Sequence, residues 1–235
     1  MSPVTCQDQL LLVPWDPESP EHIARLIEQR VQCGWNSELV EKKWRDKQRE
    51  GHKCIYWITL SPEAPGTQES LQLHFDKFPA EKTPLVDTAA TIRSKPRTPT
   101  QEPIYPVGHI SLDDENVEAR HLDLGLPGKG VYWIKTFYVS KALQSKGIGR
   151  AAMDIAEAMA VNEPLCARTL ALDTLHRDDS NKMALDQTGQ LPKTTNHEWY
   201  ERRGYRLIHT QHDHYWDAHQ EAPDMDTVFL RRDIA

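Results

Sequence analysis

The sequence lacks the marks of a secreted or membrane-spanning protein. Its four cysteines, at residues 6, 33, 54 and 166, lie far apart and form no CxxC pair, which is typical of a reducing compartment rather than of a disulfide framework. No run approaches the ~20 apolar residues that cross a bilayer, and residues 1–15 lack the basic and apolar parts of a secretion signal. We therefore expect a cytoplasmic protein without a membrane partner.

Basic residues are also too few to form a dominant cationic surface. Lys and Arg number 28 against 35 Asp and Glu, which gives a net charge of −7. Proteins that bind nucleic acid neutralise its phosphates with clustered basic side chains, so we expect no nucleic-acid partner. The acidic balance would suit a cationic substrate, but solubility alone explains it. A homodimer stays open.

Zinc-like ligand spacing is absent as well. Histidines 212, 214 and 219 gather in "HTQHDHYWDAH", where residues 212 and 214 alternate on one face. No ligand set with the spacing of a zinc site accompanies them, and exposed loop histidines explain the cluster. We expect no metal site.

Proline is concentrated in one segment. Residues 61–103 contain seven prolines, with Ser, Thr and charged residues between them. Proline at this density prevents a continuous helix or a central strand, because it lacks the backbone N–H and fixes φ. We expect an inserted loop or lid here, partly disordered around residues 92–103, with "LQLHF" (71–75) as one small element.

Periodic segments flank this Pro-rich insertion. Before it, strand-like "DQLLLVPW" and "KCIYWITL" enclose two helical segments, the first beginning at Ser19 and Pro20. After it come strand patterns at 105–112, 131–139 and 168–174, a helix from about 147 to 161, a polar loop at 175–195, a short helix ended by Gly204, and two closing strands. Interleaved helices and strands predict an α/β (α+β) layer structure with a mixed sheet. A single domain over residues 1–235 fits this pattern better than two domains.

A glycine-rich loop lies where the 131–139 strand gives way to the next helix. In "QSKGIGRAA" (144–152), Gly147 and Gly149 leave the main chain open to a ligand. The first N–H groups of the helix add the positive end of its dipole, so the pattern suits phosphate binding, although a simple strand-to-helix connection explains the two glycines as well. The P-loop pattern GxxxxGK(S/T) does not occur, and the dinucleotide pattern GxGxxG lacks its third glycine.

Taken together, these segments resemble the GNAT superfamily of N-acetyltransferases, whose acyl-CoA loop has the pattern (Q/R)xxGx(G/A) after a bulged strand. Gln144, Gly147 and Gly149 fall on its three defining positions, and "YPVGHISL", "WIKTFYV", "RTLALDT" and "WYERRGYRLI" follow the order of the family. The resemblance is clear over 105–235 and looser over 8–60. It implies a GNAT-like mixed, mostly antiparallel central sheet that splays into a V and is flanked by helices.

The resemblance also implies acetyl-CoA as the acyl-donor cosubstrate. Its pantetheine arm would pair with the main chain of Phe137, Tyr138 and Val139 on the central strand. Its pyrophosphate would lie against backbone N–H groups of the acyl-CoA loop, which comprises Gln144, Ser145, Lys146, Gly147, Ile148, Gly149 and Arg150. The side chains of Lys146 and Arg150 either add charge toward phosphate or are solvated.

The implied reaction is direct attack of an amine on the thioester carbonyl. Tyr200, in the pattern YxxxG that ends at Gly204, matches the tyrosine that serves the family as an acid for the departing thiolate. Asp173, near the end of a strand, is a candidate base, although capping of the following loop explains it as well. His109 and Glu198 are weaker candidates, and a base that acts through water is a further alternative.

The amine acceptor stays open, because small amines, amino acids and peptide amines all fit the implied chemistry. A non-catalytic acyl-CoA-binding or interaction protein on the same fold is the alternative function, and a nucleotide-dependent oxidoreductase is a more distant one. An enzyme would release thiol from acetyl-CoA only in the presence of an amine, whereas a binder would hold the cosubstrate without turnover.

Overall fold

The structure is a computed structural model that describes residues 9–214 and 224–234 of the 235-residue chain. In these ranges no helix has both the length and the apolar character needed to span a membrane. The strands are β1 (Leu10–Pro14), β2 (Ile55–Leu60), β3 (Leu85–Val86), β4 (Thr91–Ile92), β5 (Lys95–Pro96), β6 (Pro103–Ile104), β7 (Pro106–Asp113), β8 (Val131–Val139), β9 (Thr169–Leu175), β10 (Arg206–His212) and β11 (Asp226–Asp233). The α-helices are α1 (Pro20–Cys33), α2 (Arg45–Glu50), α3 (Thr67–Lys77), α4 (Ile148–Val161), α5 (Arg177–Thr188) and α6 (Asn196–Arg202).

The fold is mixed α/β, and seven of these strands form one sheet in the order β1-β2-β7-β8-β9-β11-β10. Strand β1 pairs antiparallel with β2, β2 with β7, β9 with β11, and β10 with β11. The mostly antiparallel sheet flanked by helices confirms the predicted fold class. The described residues divide into two compact units, one that runs to Glu115 and includes Ile134–Glu163, and a second formed by Asn116–Trp133 and the chain from Pro164 onward. A single domain over the whole chain stays a prediction.

Helix α1 opens the first unit as its sequence predicts. The Ser19 hydroxyl accepts a hydrogen bond from the backbone N–H of His22 at 3.3 Å, Pro20 occupies the first turn, and Gly34 ends the helix at a left-handed φ of 91°. Such caps satisfy backbone groups that have no partner within the helix. The core beneath is largely aromatic and aliphatic, with Trp15, Ile23, Leu26, Val40, Trp44, Ile55, Trp57, Leu85 and Ile104 buried.

The Pro-rich insertion at 61–103 contains helix α3, which includes the small element expected at 71–75. Helix α3 fits between Pro65 and Pro79, which bound the helix instead of preventing it. Strands β4 and β5 form a hairpin at 91–96, so the partial disorder expected around residues 92–103 is wrong for this part. The buried carboxylate of Asp87 fixes this part, because Arg97 binds both of its oxygens at 2.7 and 2.6 Å and Thr100 donates two further hydrogen bonds.

The second unit contains β9, β10 and β11 with helices α5 and α6. Its core is formed by Ala119, Leu124, Trp133, Ala171 and Phe229. Residues 175–195, predicted as a polar loop, contain the twelve-residue helix α5, so that prediction is wrong. Helix α5 buries none of its residues, and an apolar stripe is the signal by which a helix is recognised in a sequence. Its N-terminus is capped by the side chain of His176, which accepts a hydrogen bond from the N–H of Asp178.

We expect Asp87→Asn to lower the free energy of unfolding by about 3 kcal/mol, which is the lower end of the loss found when one partner of a buried ion pair is removed. Burial raises the pKa of Asp87, but hydrogen bonds from Arg97 and Thr100 outweigh that effect and hold the pKa below its usual value. A lowered pKa gives stability that is present above pH ~4 and is lost as the pH falls through the folded-state value.

Denaturant unfolding between pH 3 and pH 7 checks this prediction. The difference between wild type and Asp87→Asn should shrink below pH ~4. A difference that is constant over this range, or a variant as stable as wild type at pH 7, would contradict the assigned role of Asp87.

Candidate functional site

Strand β8 presents opposite faces to different parts of the first unit. The side chains of Phe137 and Val139 point toward the start of α4, where a Cβ on Gly149 would lie 3.7 Å from Phe137 Cζ and 3.9 Å from Val139 Cγ2. Tyr138 lies between them on the other face, and its hydroxyl donates to Gln32 Oε1 at 2.7 Å. Burial raises the pKa of Tyr138, so the phenol stays protonated. Because side chains alternate along a strand, Phe137 and Val139 face the loop and Tyr138, between them, faces away from it.

Within β8, Thr136 has a left-handed φ of 52°. A β-branched residue rarely adopts this conformation. The resemblance implies a bulge in this strand, and that bulge stays a prediction. Strand β7 approaches this part of β8 so closely that a Cβ on Gly108 would overlap the carbonyl oxygen of Tyr138. Glycine at position 108 is therefore required by the contact between the two backbones.

The ammonium group of Lys53 contacts β8 at Thr136. Its Nζ donates to Thr136 Oγ1 at 2.7 Å, to Asp113 Oδ2 at 2.8 Å and to Ser111 Oγ at 3.0 Å, so all three donors have partners. It also lies 4.8 Å from the centre of the Trp44 ring. Burial lowers the pKa of Lys53, while the neighbouring Asp113 carboxylate favours its charged form. Sequence reasoning missed Lys53, since a lysine beside a strand is normally solvated.

The acyl-CoA loop at 144–150 follows β8 after a short turn. Ser145 and Gly147 both have left-handed φ angles, of 65° and 86°. Gly147 is the N-cap of α4 and provides no side-chain cap, and the first N–H groups of an α-helix have no acceptor within the helix. The side chains of Gln144, Lys146 and Arg150 are exposed, which leaves the main chain of the loop accessible. The local geometry can hold an anion through backbone N–H groups.

A cavity of about 220 Å³ lies next to this loop within the first unit. Lys146, Gly147 and Ile148 line it from the loop side, and Gly66 and Thr67 line it from the start of α3. The Pro-rich insertion therefore provides part of the wall beside the glycine-rich loop.

The two proposed catalytic residues both belong to the second unit. Asp173 lies near the end of β9, half-buried, and its Oδ1 accepts a hydrogen bond from Asn116 Nδ2 at 3.3 Å. Tyr200 lies on α6 and is buried, with its ring packed edge-to-face against the rings of Trp199 and Tyr205. Asp173 therefore has a hydrogen-bonding role, and Tyr200 a packing role, within their own unit.

The weaker candidates have structural surroundings. His109 is buried in the core, with Nδ1 2.9 Å from Gln29 Oε1, and burial holds its pKa well below its usual value. Glu198 has a structural role at the start of α6. Its carboxylate accepts from the N–H of Thr195 at 2.8 Å, and the Thr195 hydroxyl accepts from the N–H of Glu198, which forms a capping box for α6.

The histidine cluster is only partly described. His212 lies 3.0 Å from Asp226, and His214 packs against Phe229, while residue 219 lies outside the described residues. Among residues 9–214 and 224–234, no group of three or more His, Cys, Asp or Glu side chains is arranged to hold a metal ion.

Comparison with known proteins adds independent information about this site. The sequence profile of the acetyltransferase (GNAT) family matches residues 56–205, a range that contains β8, the glycine-rich loop and α6. No curated protein sequence gives a significant match to the chain.

Solved structures share the fold at low sequence identity. A Desulfovibrio desulfuricans protein assigned to the GNAT family matches with a TM-score of 0.54 and 10% identity, covering 96% of this chain and 99% of that one. NAA60 of Arabidopsis thaliana, in complex with a bisubstrate analogue, matches with a TM-score of 0.50 and 16% identity, with the same two coverages. An aminoglycoside 6'-N-acetyltransferase complexed with coenzyme A matches with a TM-score of 0.51 and 10% identity, covering 95% of this chain and 96% of that one.

We expect Lys53→Met to destabilise the protein by about 3–5 kcal/mol, because it leaves the buried Asp113 carboxylate without its cation. The double variant Lys53→Met/Asp113→Asn should recover part of this loss, since it removes both charges. Denaturant unfolding of the four proteins in the cycle measures the coupling. Strictly additive losses would show that the two side chains do not act as a pair.

Proposed function

Since the chain belongs to the acetyltransferase (GNAT) family, we propose that it is an N-acetyltransferase that moves an acetyl group from acetyl-CoA to a primary amine. The observation that carries the proposal is the geometry of β8 and its loop: Thr136 in β8 is left-handed, Ser145 and Gly147 in the loop are left-handed as well, and Gly147 is the N-cap of α4. Two of the similar structures contain coenzyme A or a bisubstrate analogue, which supports acetyl-CoA as the donor.

In this proposal the donor is held mainly by backbone. The main chain of Phe137, Tyr138 and Val139 pairs with the pantetheine arm, and N–H groups of the loop at 144–150 bind the pyrophosphate. The local fit supports this assignment, because Gly149 leaves an opening in front of Phe137 and Val139 that a larger side chain would fill. The Lys146 and Arg150 side chains add positive charge near the phosphates.

The chemical step forms a C–N bond and breaks the C–S bond of the thioester. An alkyl ammonium titrates near ~10.4, so freeing its lone pair at pH 7 costs about 4–5 kcal/mol. A base that accepts this proton is therefore useful. We assign this role to Asp173 or to a water molecule, and we assign to Tyr200 the proton that neutralises the departing thiolate.

The acceptor is a small-molecule or peptide amine. One of the similar structures is named as an aminoglycoside 6'-N-acetyltransferase, whose acceptor is an amine of a small molecule. Since the sequence identity is low, the acceptor of this chain stays open among small-molecule and peptide amines. A non-catalytic acyl-CoA-binding protein is the second candidate, and it is favoured by the packing of Tyr200 between Trp199 and Tyr205. Release of free thiol from acetyl-CoA across a panel of amines distinguishes the two.

Location and partners follow from composition. Cys33, Cys54 and Cys166 are free thiols, which fits a reducing compartment, and we infer a cytoplasmic protein. The net charge of −7 supports a protein without a nucleic-acid partner.

We expect Tyr200→Phe to lower kcat by about 10²-fold or more, the usual contribution of a positioned acid, while the Kd for CoA changes little. Steady-state thiol release gives kcat, and calorimetric titration gives Kd. Tyr205→Phe is the matched control, because Tyr205 is also buried and its ring packs against that of Tyr200. Unchanged turnover in Tyr200→Phe would remove this residue from the mechanism.

We expect Gly149→Val to abolish CoA binding at concentrations that saturate wild type, because its methyl groups would fill the opening in front of β8. Gly149→Ala should fold normally, since its Cβ would meet only ordinary contacts at 3.7 and 3.9 Å. Ala158→Val is the control, as Ala158 is an exposed residue of the same helix. Normal CoA affinity in Gly149→Val would contradict the loop assignment.

A further inference from the structure

A buried carboxylate lies at the centre of a polar cluster in the first unit. Glu81, in the Pro-rich insertion, is only 1% exposed. Its Oε2 accepts a hydrogen bond from Gln29 Nε2 at 2.8 Å, and its Oε1 accepts from Gln32 Nε2 at 2.6 Å. Arg25 Nη1 lies 4.0 Å away. Burial raises the pKa of Glu81, but hydrogen bonds from His74, Gln29 and Gln32 outweigh it and hold the pKa below its usual value, so the group is an anion.

His74 connects this carboxylate to the strand that precedes the acyl-CoA loop. Its Nε2 lies 3.2 Å from Glu81 Oε2, and its Nδ1 lies 2.8 Å from Ser140 Oγ. A carboxylate beside Nε2 favours the tautomer that carries its proton there, since an ionised carboxylate only accepts hydrogen bonds. In that tautomer Nδ1 accepts a hydrogen bond from the Ser140 hydroxyl. The contact with Glu81 therefore favours one direction for the hydrogen bond between Ser140 and His74.

Ser140 is the first residue after β8 and is fully buried. Its N–H donates to Val107 O at 2.8 Å, and its carbonyl accepts from the N–H of Leu143 at 2.8 Å. Its Oγ, with its proton directed at His74, accepts from the N–H of Ala142 at 3.3 Å. These bonds define the turn at 140–143, which leads directly into the acyl-CoA loop at 144–150. Ser140, His74 and Glu81 are all buried, so a substrate cannot reach them. Their hydrogen bonds therefore act on the orientation of the turn.

We propose that Glu81 and His74 are positioning residues that set the conformation of the acyl-CoA loop through Ser140. The proposal rests on the assignment of CoA binding to that loop. A second branch supports it, because Gln32 joins Glu81 to the hydroxyl of Tyr138 on β8. Both branches begin at Glu81 in the Pro-rich insertion. This segment therefore affects the affinity for the donor through buried side chains of the first unit.

Ser140→Ala and Glu81→Gln test the proposal with small changes of shape. Ser140→Ala removes only the hydroxyl, and Glu81→Gln replaces one accepting oxygen by a donor amide. We expect each to raise the Kd for CoA, and the KM for acetyl-CoA, about five- to tenfold with kcat within twofold, the worth of about one hydrogen bond. Amide hydrogen exchange at 141–150 in the ligand-free protein should accelerate by a similar factor.

The double variant Ser140→Ala/Glu81→Gln should weaken CoA binding by less than the sum of the two single effects, because the two residues share His74 as a partner. Asp87→Asn is the control, since it breaks a buried ion pair of the same insertion that does not touch the cluster. It should lower the Tm and leave the Kd for CoA unchanged.

Two results would overturn the proposal. One is unchanged exchange at 141–150 in Ser140→Ala. The other is a loss of CoA affinity that follows the Tm equally in Asp87→Asn and in the cluster variants. If wild type fails to bind CoA, the proposed function fails, whereas exchange in the ligand-free protein still decides whether the cluster positions the loop. If Glu81→Gln does not fold, Ser140→Ala alone decides.

Discussion

The hydrogen bonds of the buried Lys53 ammonium group are the interaction on which the conformation of β8 depends. The strand leaves the regular extended conformation at Thr136, whose hydroxyl accepts hydrogen bonds from Lys53 and Ser111, while Asp113 accepts from Lys53. A left-handed conformation at a β-branched residue costs of order 1–3 kcal/mol and persists only where the surroundings fix it. A buried cation with all three donors satisfied supplies that constraint.

After Thr136, successive side chains of β8 face opposite sides of the strand. Phe137 and Val139 face the start of α4 at Gly149, and Tyr138 faces α1, where Gln32 Oε1 accepts a hydrogen bond from its hydroxyl. Two buried polar clusters thus hold the two ends of one short stretch, one centred on Lys53 and one on the Pro-rich insertion. Buried ion pairs contribute little net stability compared with apolar packing, and their value lies in selecting one conformation. A strand that must present its backbone to a ligand needs such selection.

The sequence predicted the regular elements wherever pattern and chemistry agreed. The bounds of β8 match the predicted 131–139, Ser19 and Pro20 begin α1 as expected, and α4 begins directly after Gly147. These elements combine a clear apolar period with a recognisable cap, so local signals suffice.

The parts that were missed depend on contacts distant in sequence or on helices without an apolar face. Helix α5 buries nothing and so leaves no periodic signal. Glu81 and Lys53 have the pattern of ordinary surface charges in the sequence, and the hydrogen-bond partners Gln29 and Ser111, which lie more than forty residues away, give no local signal of their burial. Gly108 carried a usable signal, since a glycine inside a strand pattern often marks a close approach of another backbone.

We propose that the backbone of β8 after Thr136 and the loop at 144–150 bind the acyl donor. Titration of the isotope-labelled protein with CoA, followed through backbone amide NMR shifts, tests this proposal. We expect saturable shifts that are largest at residues 137–139 and 144–150, with α5 unaffected. Saturable binding that leaves these amides unshifted, or no binding at millimolar CoA, would show that this backbone does not hold the donor.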